Sequence, residues 1–137
     1  MARHDNLERL KAGYIAWNER KGDALDVWLE LMDESFTLVS MDEATPGLAF
    51  AVDRHSRDEA LAYLGGIFDE WEMVHYTPET FVADDDNIAM FGKCAYRNRK
   101  TGKTAECRIA NLWKFENGKA VALTDVWDTA LAAAAAN

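Results

Sequence analysis

Two periods divide the chain. Up to Trp71 apolar residues recur at helical spacing, and after it they alternate. His4-Asp5-Asn6-Leu7-Glu8 predicts a helix start, with Asp5 as cap and Glu8 as its reciprocal partner. Leu7, Leu10, Tyr14 and Trp17 then form one stripe, and Lys21-Gly22 ends the helix. Asp23 is expected to cap a second helix carrying Leu25, Trp28, Leu29 and Met32 on one side. Phe36 to Met41 reads as a short strand, and Asp42 to His55, with Pro46 and Gly47, as an irregular stretch. Ser56 and Glu59 make another capping box, opening a helix on which Ala60, Leu61, Leu64, Phe68 and Trp71 point one way. Gly65-Gly66 inside it costs about 1 kcal/mol per glycine against alanine, which points to close packing there.

Beyond Trp71 the spacing predicts four strands: Thr80 to Ala83, Ile88 to Arg99, Thr104 to Glu116 and Lys119 to Asp128. Asp84-Asp85-Asp86-Asn87, Thr101-Gly102 and Asn117-Gly118 are the turns, the last a strong hairpin signal. The alanine-rich tail ALAAAAAN reads as a frayed helix. Helices first and a meander of long strands second make an α+β layout. A sheet this long twists and curls, and three N-terminal helices can cover the hollow side. The expected shape is a cone with an apolar inside.

Composition supports a packed core. The 137 residues suit one domain, 49% of them are hydrophobic, and five tryptophans, six phenylalanines and four tyrosines add bulk. The net charge of -9 repels phosphate backbones, so no nucleic-acid partner is expected. Lys93, Arg97, Arg99, Lys100, Lys103 and Arg108 gather around one turn, and a solvated hairpin is the expectation for them. No apolar run approaches the ~20 residues that cross a bilayer, and the polar first residues show no secretory signal. A cytoplasmic protein with two free, mostly buried thiols, Cys94 and Cys107, follows as the expectation.

Candidate chemistry is sparse. No phosphate-cradling glycine loop, zinc spacing or nucleophile elbow stands out, so neither cofactor nor metal is expected. Asp84-Asp85-Asp86 lacks the further acid of a calcium loop and reads as an acidic turn. Asp125 is the anomaly. It alternates in a row with Val121, Leu123 and Trp127, on the same face as Ile109, Asn111 and Trp113 of the strand before it. Desolvation there raises a carboxyl group's pKa toward the range of a general acid or base. The bland alternative is a buried acid held by a fixed donor. Asn111 shares that face and needs partners too.

Four stretches carry a family resemblance: YIAWNERKGDALDVWLELMDESFTLVS, SRDEALAYLGGIFDEW, NLWKFENGKAVALTDVWDT and the YRNRKTGKT hairpin. Together they cover most of the chain, which resembles the SnoaL-like, or ketosteroid isomerase-like, members of the nuclear-transport-factor-2-like superfamily. The resemblance implies a curved antiparallel sheet wrapped around three helices, a cone-shaped cystatin-like barrel with a hydrophobic pocket. It also implies a homodimer formed through the outer sheet face. In steroid-isomerase members a first-helix tyrosine helps form an oxyanion hole, and Tyr14 falls at that place. Asn111 stands where those enzymes have a protonated aspartate. Their base position meets Val39-Ser40 here, with Asp42 reachable only by a register shift, which argues against steroid isomerisation. In epoxide-hydrolase members the base lies in a motif like R-D-Y-F-D, and T-D-V-W-D puts Asp125 on it. Arg97 and Arg99 lack the acid those enzymes place beside the arginine. Dehydratase members use pocket histidines, for which His75 and His55 are weak matches.

The expectation that follows is a small-molecule pocket protein. Asp125 is its acid or base, with Asn111 and Tyr14 on the substrate oxygen. Trp17, Trp28, Phe68, Trp71, Trp113 and Trp127, with His75, are the ligand-contacting wall. Isomerase, cyclase, dehydratase and epoxide-opening activities on an apolar oxygenated substrate all fit. A non-catalytic ligand-binding or dimerising domain is the alternative.

Overall fold

The computed structural model describes residues 3–40, 53–84 and 86–137. The expectations placed on Asp42, Pro46, Gly47 and Asp85 lie outside the described residues. Helix α1 (Arg3–Glu19) and helix α2 (Leu25–Leu31) lead into strand β1 (Met32–Val39). Helix α3 (Arg57–Glu70) precedes strands β2 (Trp71–Asp84), β3 (Asn87–Asn98), β4 (Thr104–Glu116) and β5 (Lys119–Trp127), and helix α4 (Thr129–Ala136) follows.

The five strands form one open, curved sheet in the order β1-β5-β4-β3-β2. The expected antiparallel meander accounts for four of them. Strand β1 instead lies parallel to β5, because it reaches the sheet edge after a helix rather than through a hairpin. Strand β4 shows the alternation most plainly: Ala105, Cys107, Ile109, Asn111, Trp113 and Phe115 are buried, and the residues between them face outward. At the β4–β5 turn Asn117 and Gly118 have φ of +50° and +80°, the paired left-handed conformation of a tight hairpin.

Several local expectations need correction. Helix α1 begins at Arg3, so Asp5 lies in the first turn rather than at the cap. Asp23 caps nothing; Ala24 is the N-cap of α2 and gives no side-chain bond. Helix α2 stops early, and Met32 starts a strand. Trp71 also starts a strand, and β2 is far longer than Thr80 to Ala83, since its pairing with β3 runs from Trp71–Asn98 to Asp84–Asn87. Tertiary pairing has overridden helical spacing at both places. Val121 leaves the Asp125 row: a bulge pairs Lys114 with Ala122 but Phe115 with Ala120, so Ala120 turns inward in its stead.

The alanine-rich tail is not frayed. Asp128 Oδ1 accepts from the Leu131 backbone N–H at 3.0 Å, the Thr101 hydroxyl donates to the Ala135 carbonyl at 2.5 Å, and Ala132 and Ala135 are buried against Trp71 and Ala105. A helix whose buried face carries only alanines can lie close to a sheet, with Leu131 turned outward, and this one closes one end of the hollow.

Other signals hold as read. Lys21 and Gly22 have φ of +52° and +89°, and the Gly22 N–H reaches the Trp17 carbonyl at 2.9 Å to end α1. A side chain at Gly22 would enter the Phe68 ring. The Ser56 hydroxyl accepts from Glu59 N at 3.2 Å, while Glu59 reaches back to the His55 N–H at 3.4 Å. Gly65 lets Leu25 of α2 approach to 3.4 Å of where a Cβ would stand. Four of the six cations around the basic turn are paired: Glu72 with Arg97 and Arg99, and Glu79 with Lys93 and Arg108.

Candidate functional site

A chain of hydrogen bonds runs through the interior from α1 to Ser40, just past the end of β1. The Trp113 indole N–H donates to the Tyr14 hydroxyl at 2.8 Å, and Tyr14 donates to Asn111 Oδ1 at 2.5 Å. Tyr76 donates to the same oxygen at 3.2 Å. Asn111 Nδ2 then donates to Asp125 Oδ1 at 2.8 Å and to its neighbour's carbonyl, Ala110 O, at 3.0 Å. The amide is thereby used on both sides. Tyr63 donates to the other carboxylate oxygen, Oδ2, at 3.0 Å. With the Tyr63 proton committed, Ser40 Oγ, 2.9 Å away, donates to Tyr63. The Trp127 side chain also hydrogen-bonds Tyr63.

Strand register builds the centre of this chain. Asn111 and Asp125 are direct partners across β4 and β5, flanked by the pairs Ile109–Trp127 and Trp113–Leu123. Two polar side chains on an apolar face bond each other, the tyrosines Tyr14, Tyr63 and Tyr76 around them, and the Ala110 carbonyl. Burial raises the Asp125 pKa from 3.8 to about 6, against the opposing pull of the Tyr63 and Asn111 hydrogen bonds. Burial, and then the negative Asp125, push the Tyr63 hydroxyl well up, so it remains a donor.

Asp125 also borders a cavity of about 90 Å³. Trp17 of α1, Tyr63 and Ile67 of α3, Trp71 of β2 and Trp127 of β5 give its aromatic and aliphatic walls, and Ala132 of α4 its far end. Cys94, Tyr96 and Cys107 contribute from β3 and β4. Among the described residues the buried Trp71 indole N–H has no hydrogen-bond partner, so the wall contains a donor not used by them. Asp125 itself is half-buried. The site therefore offers a carboxyl group that titrates near neutrality, opening into an apolar space.

The expected site residues separate into three places. Asp125, Trp17, Trp71 and Trp127 border the cavity. Tyr14 and Asn111 stand behind Asp125 in the hydrogen-bond chain, 2% and 4% exposed. Trp28 and Trp113 stack at 5.3 Å in the packed core, and Phe68 lies edge-on to Trp17 at 5.6 Å. His75 is half-buried on β2, its Nδ1 3.0 Å from the Thr77 hydroxyl. Sequence reasoning missed Tyr63, which is the second donor to Asp125. Its signal was present: Ala60, Tyr63, Leu64 and Ile67 recur at helical spacing. Among the described residues no cluster of three or more metal-ligating side chains occurs, and no helix is long and apolar enough to cross a membrane.

The profile of the SnoaL-like domain family matches residues 10–123. The chain belongs to the SnoaL-like family. The matched span stops short of Asp125, Trp127 and α4, so the carboxylate and the end of the cavity fall just outside it. No curated protein matches the sequence. Among solved structures, an NTF2-like protein of unknown function from Burkholderia pseudomallei superposes with a TM-score of 0.82 at 21% identity, over 97% of this chain and 98% of that one. A protein assigned as a SnoaL-like polyketide cyclase, from Jannaschia sp. CCS1, gives 0.78 at 14% identity, over 96% and 91%. TerC, co-crystallised with polyporic acid, gives 0.75 at 19% identity, over 96% and 98%. At these identities the likeness is one of fold.

Proposed function

We propose that this SnoaL-like chain is one domain, residues 1–137, that binds a small, apolar, oxygenated molecule in the cavity beside Asp125 and moves a proton on it. The observation that carries this reading is a carboxyl group with a pKa of about 6 bordering an apolar cavity. Such a group exchanges protons near neutral pH, as an isomerase or cyclase step requires. Asp125 is the acid or base. Asn111 and Tyr14 position it from behind rather than touch the ligand, and the Trp71 N–H offers a donor for a substrate oxygen. Trp17, Trp71 and Trp127 favour a flat, compact ligand. The polyketide cyclase and polyporic acid relatives support an oxygenated cyclic compound. Dehydration and epoxide opening are further variants of the same proton transfer.

One observation favours a second reading, a ligand-binding domain without turnover: both Asp125 oxygens already hold protein donors. We also infer a homodimer through the outer sheet face, where Phe91, Leu112 and Val126 of β3, β4 and β5 stand exposed. The two free cysteines suit a reducing compartment such as the cytoplasm.

Hydrogen exchange in heavy water tests the catalytic reading. Small cyclic ketones and hydroxyquinones are incubated with the protein, and loss of the acidic C–H signal is followed by NMR. Exchange by wild type that Asp125→Asn abolishes supports catalysis. Compounds that bind, shown by native mass spectrometry, yet exchange no faster than in buffer leave the binding-domain reading standing.

A further inference from the structure

The hydrogen-bond chain that holds Asp125 uses no sulfur, yet two thiols line the same cavity. Cys94 and Cys107 are direct partners across β3 and β4. Both are free and buried, 3% and 8% exposed. Directly opposed residues on antiparallel strands have Cα atoms about 4.5–5.5 Å apart. A disulfide needs about 4.4–6.8 Å, so joining these sulfurs demands no movement of the sheet. The two thiols differ in their surroundings: the neighbouring Cys94 side chain and the Asp128 backbone N–H hold the Cys107 pKa below the ordinary thiol value, while the neighbouring Cys107 and burial push that of Cys94 up. The thiol that ionises more readily is the nucleophile, so Cys107 attacks first and Cys94 is the partner that resolves it.

We propose that Cys94 and Cys107 form a dithiol redox site in the cavity wall, oxidised to a cross-strand disulfide by a small hydroperoxide. The Cys107 sulfur attacks the terminal peroxide oxygen, the O–O bond breaks, and the alcohol (water, for hydrogen peroxide) leaves with a proton. Cys107 is then a sulfenic acid. The Cys94 sulfur attacks it, the S–O bond breaks, and water leaves with the Cys94 proton. Two electrons pass from the sulfur pair to the peroxide, and the protein loses two hydrogens. Hydrogen peroxide is about the size of a water molecule, and the cavity of about 90 Å³ has room for it. The disulfide draws the two sulfurs together in the wall that Tyr96 and Ile109 share, and so reshapes the cavity.

Reduced protein is treated with equimolar hydrogen peroxide, quenched with an alkylating reagent and weighed intact. The expected product has lost two hydrogen masses and both alkylation sites together, and a dithiol reductant restores it. Because the strands hold the sulfurs in place, the folded chain should form the bond roughly tenfold or more faster than the urea-unfolded chain. In Cys94→Ser the reaction stops at a sulfenic acid that dimedone traps, and Cys107→Ser loses the fast reaction. A serine variant that fails to fold leaves the folded-against-unfolded comparison in wild type to decide. Folded protein that stays reduced, gains oxygen without losing hydrogens, or reacts no faster than the unfolded chain overturns the proposal.

Discussion

The two ends of the interior are built from the same kind of side chain and differ in what they enclose. At one end Tyr14, Trp28, Phe36 and Trp113 pack with ring centroids 5.3–6.4 Å apart, and the tips of Tyr14 and Trp113 bond each other. At the other end Trp17, Trp71 and Trp127 face an open volume. The difference lies in what stands opposite. The first group meets α1, α2 and the middle of the sheet, where aromatic rings fill the space from both sides. The second meets α4, whose alanines cover the end without filling it. Asp125 stands at the join, tied backward into the packed end and open to the cavity.

The largest expected effect breaks that contrast if it fails. Trp113→Ala should destabilise the protein by about 3–5 kcal/mol in denaturant melts, because it leaves a hole among buried rings and removes the donor to the Tyr14 hydroxyl. Trp127→Ala, in the wall of a space already open, should cost less than half as much. Equal losses would mean that the cavity end is packed as tightly as the other.

Next comes Asp125→Asn. The folded chain holds its Asp125 proton to about pH 6, above the ordinary 3.8, so the protonated carboxyl favours the fold. That contribution is complete below about pH 4 and is lost as pH rises through 6, a penalty of about 3 kcal/mol at neutral pH. The amide can accept from Asn111 and donate to Tyr63, whose own proton then turns to Ser40. Urea melts between pH 4 and 8 should therefore show the variant equal to or more stable than wild type at pH 8, with the pH dependence from this group gone. A loss above about 2 kcal/mol at pH 8 would instead make the charged carboxylate part of the scaffold.

A smaller effect sharpens the account of the join. Tyr63→Phe removes one donor from Asp125 and should cost about 1 kcal/mol. It should also move the Asp125 pKa upward, since that hydrogen bond holds it down. Carboxyl carbon shifts followed by NMR through the titration would read this. An unmoved midpoint would show that Tyr63 does not govern the carboxylate.

Much of this could be read along the chain, because it depends on neighbours in sequence. Period-two spacing set the faces of β4, and Asn117-Gly118 set the hairpin that aligns it with β5. Together they placed Asn111 and Asp125 on one face, which is why the anomaly was visible at all. The Lys21-Gly22 stop and the Ser56 cap are likewise local chemistry. Contacts between distant segments decided the rest. Met32 and Trp71 became strand residues because partners on β5 and β3 were available. The bulge at Val121 re-aimed one side chain. The partners of Asp125 come from α3 and β4, and its cavity stays unfilled because the helix face that covers its end carries only alanines. A sequence lists which groups can bond or bury. Which of them meet, and what volume they leave empty, is fixed only when segments far apart in the chain pack against one another.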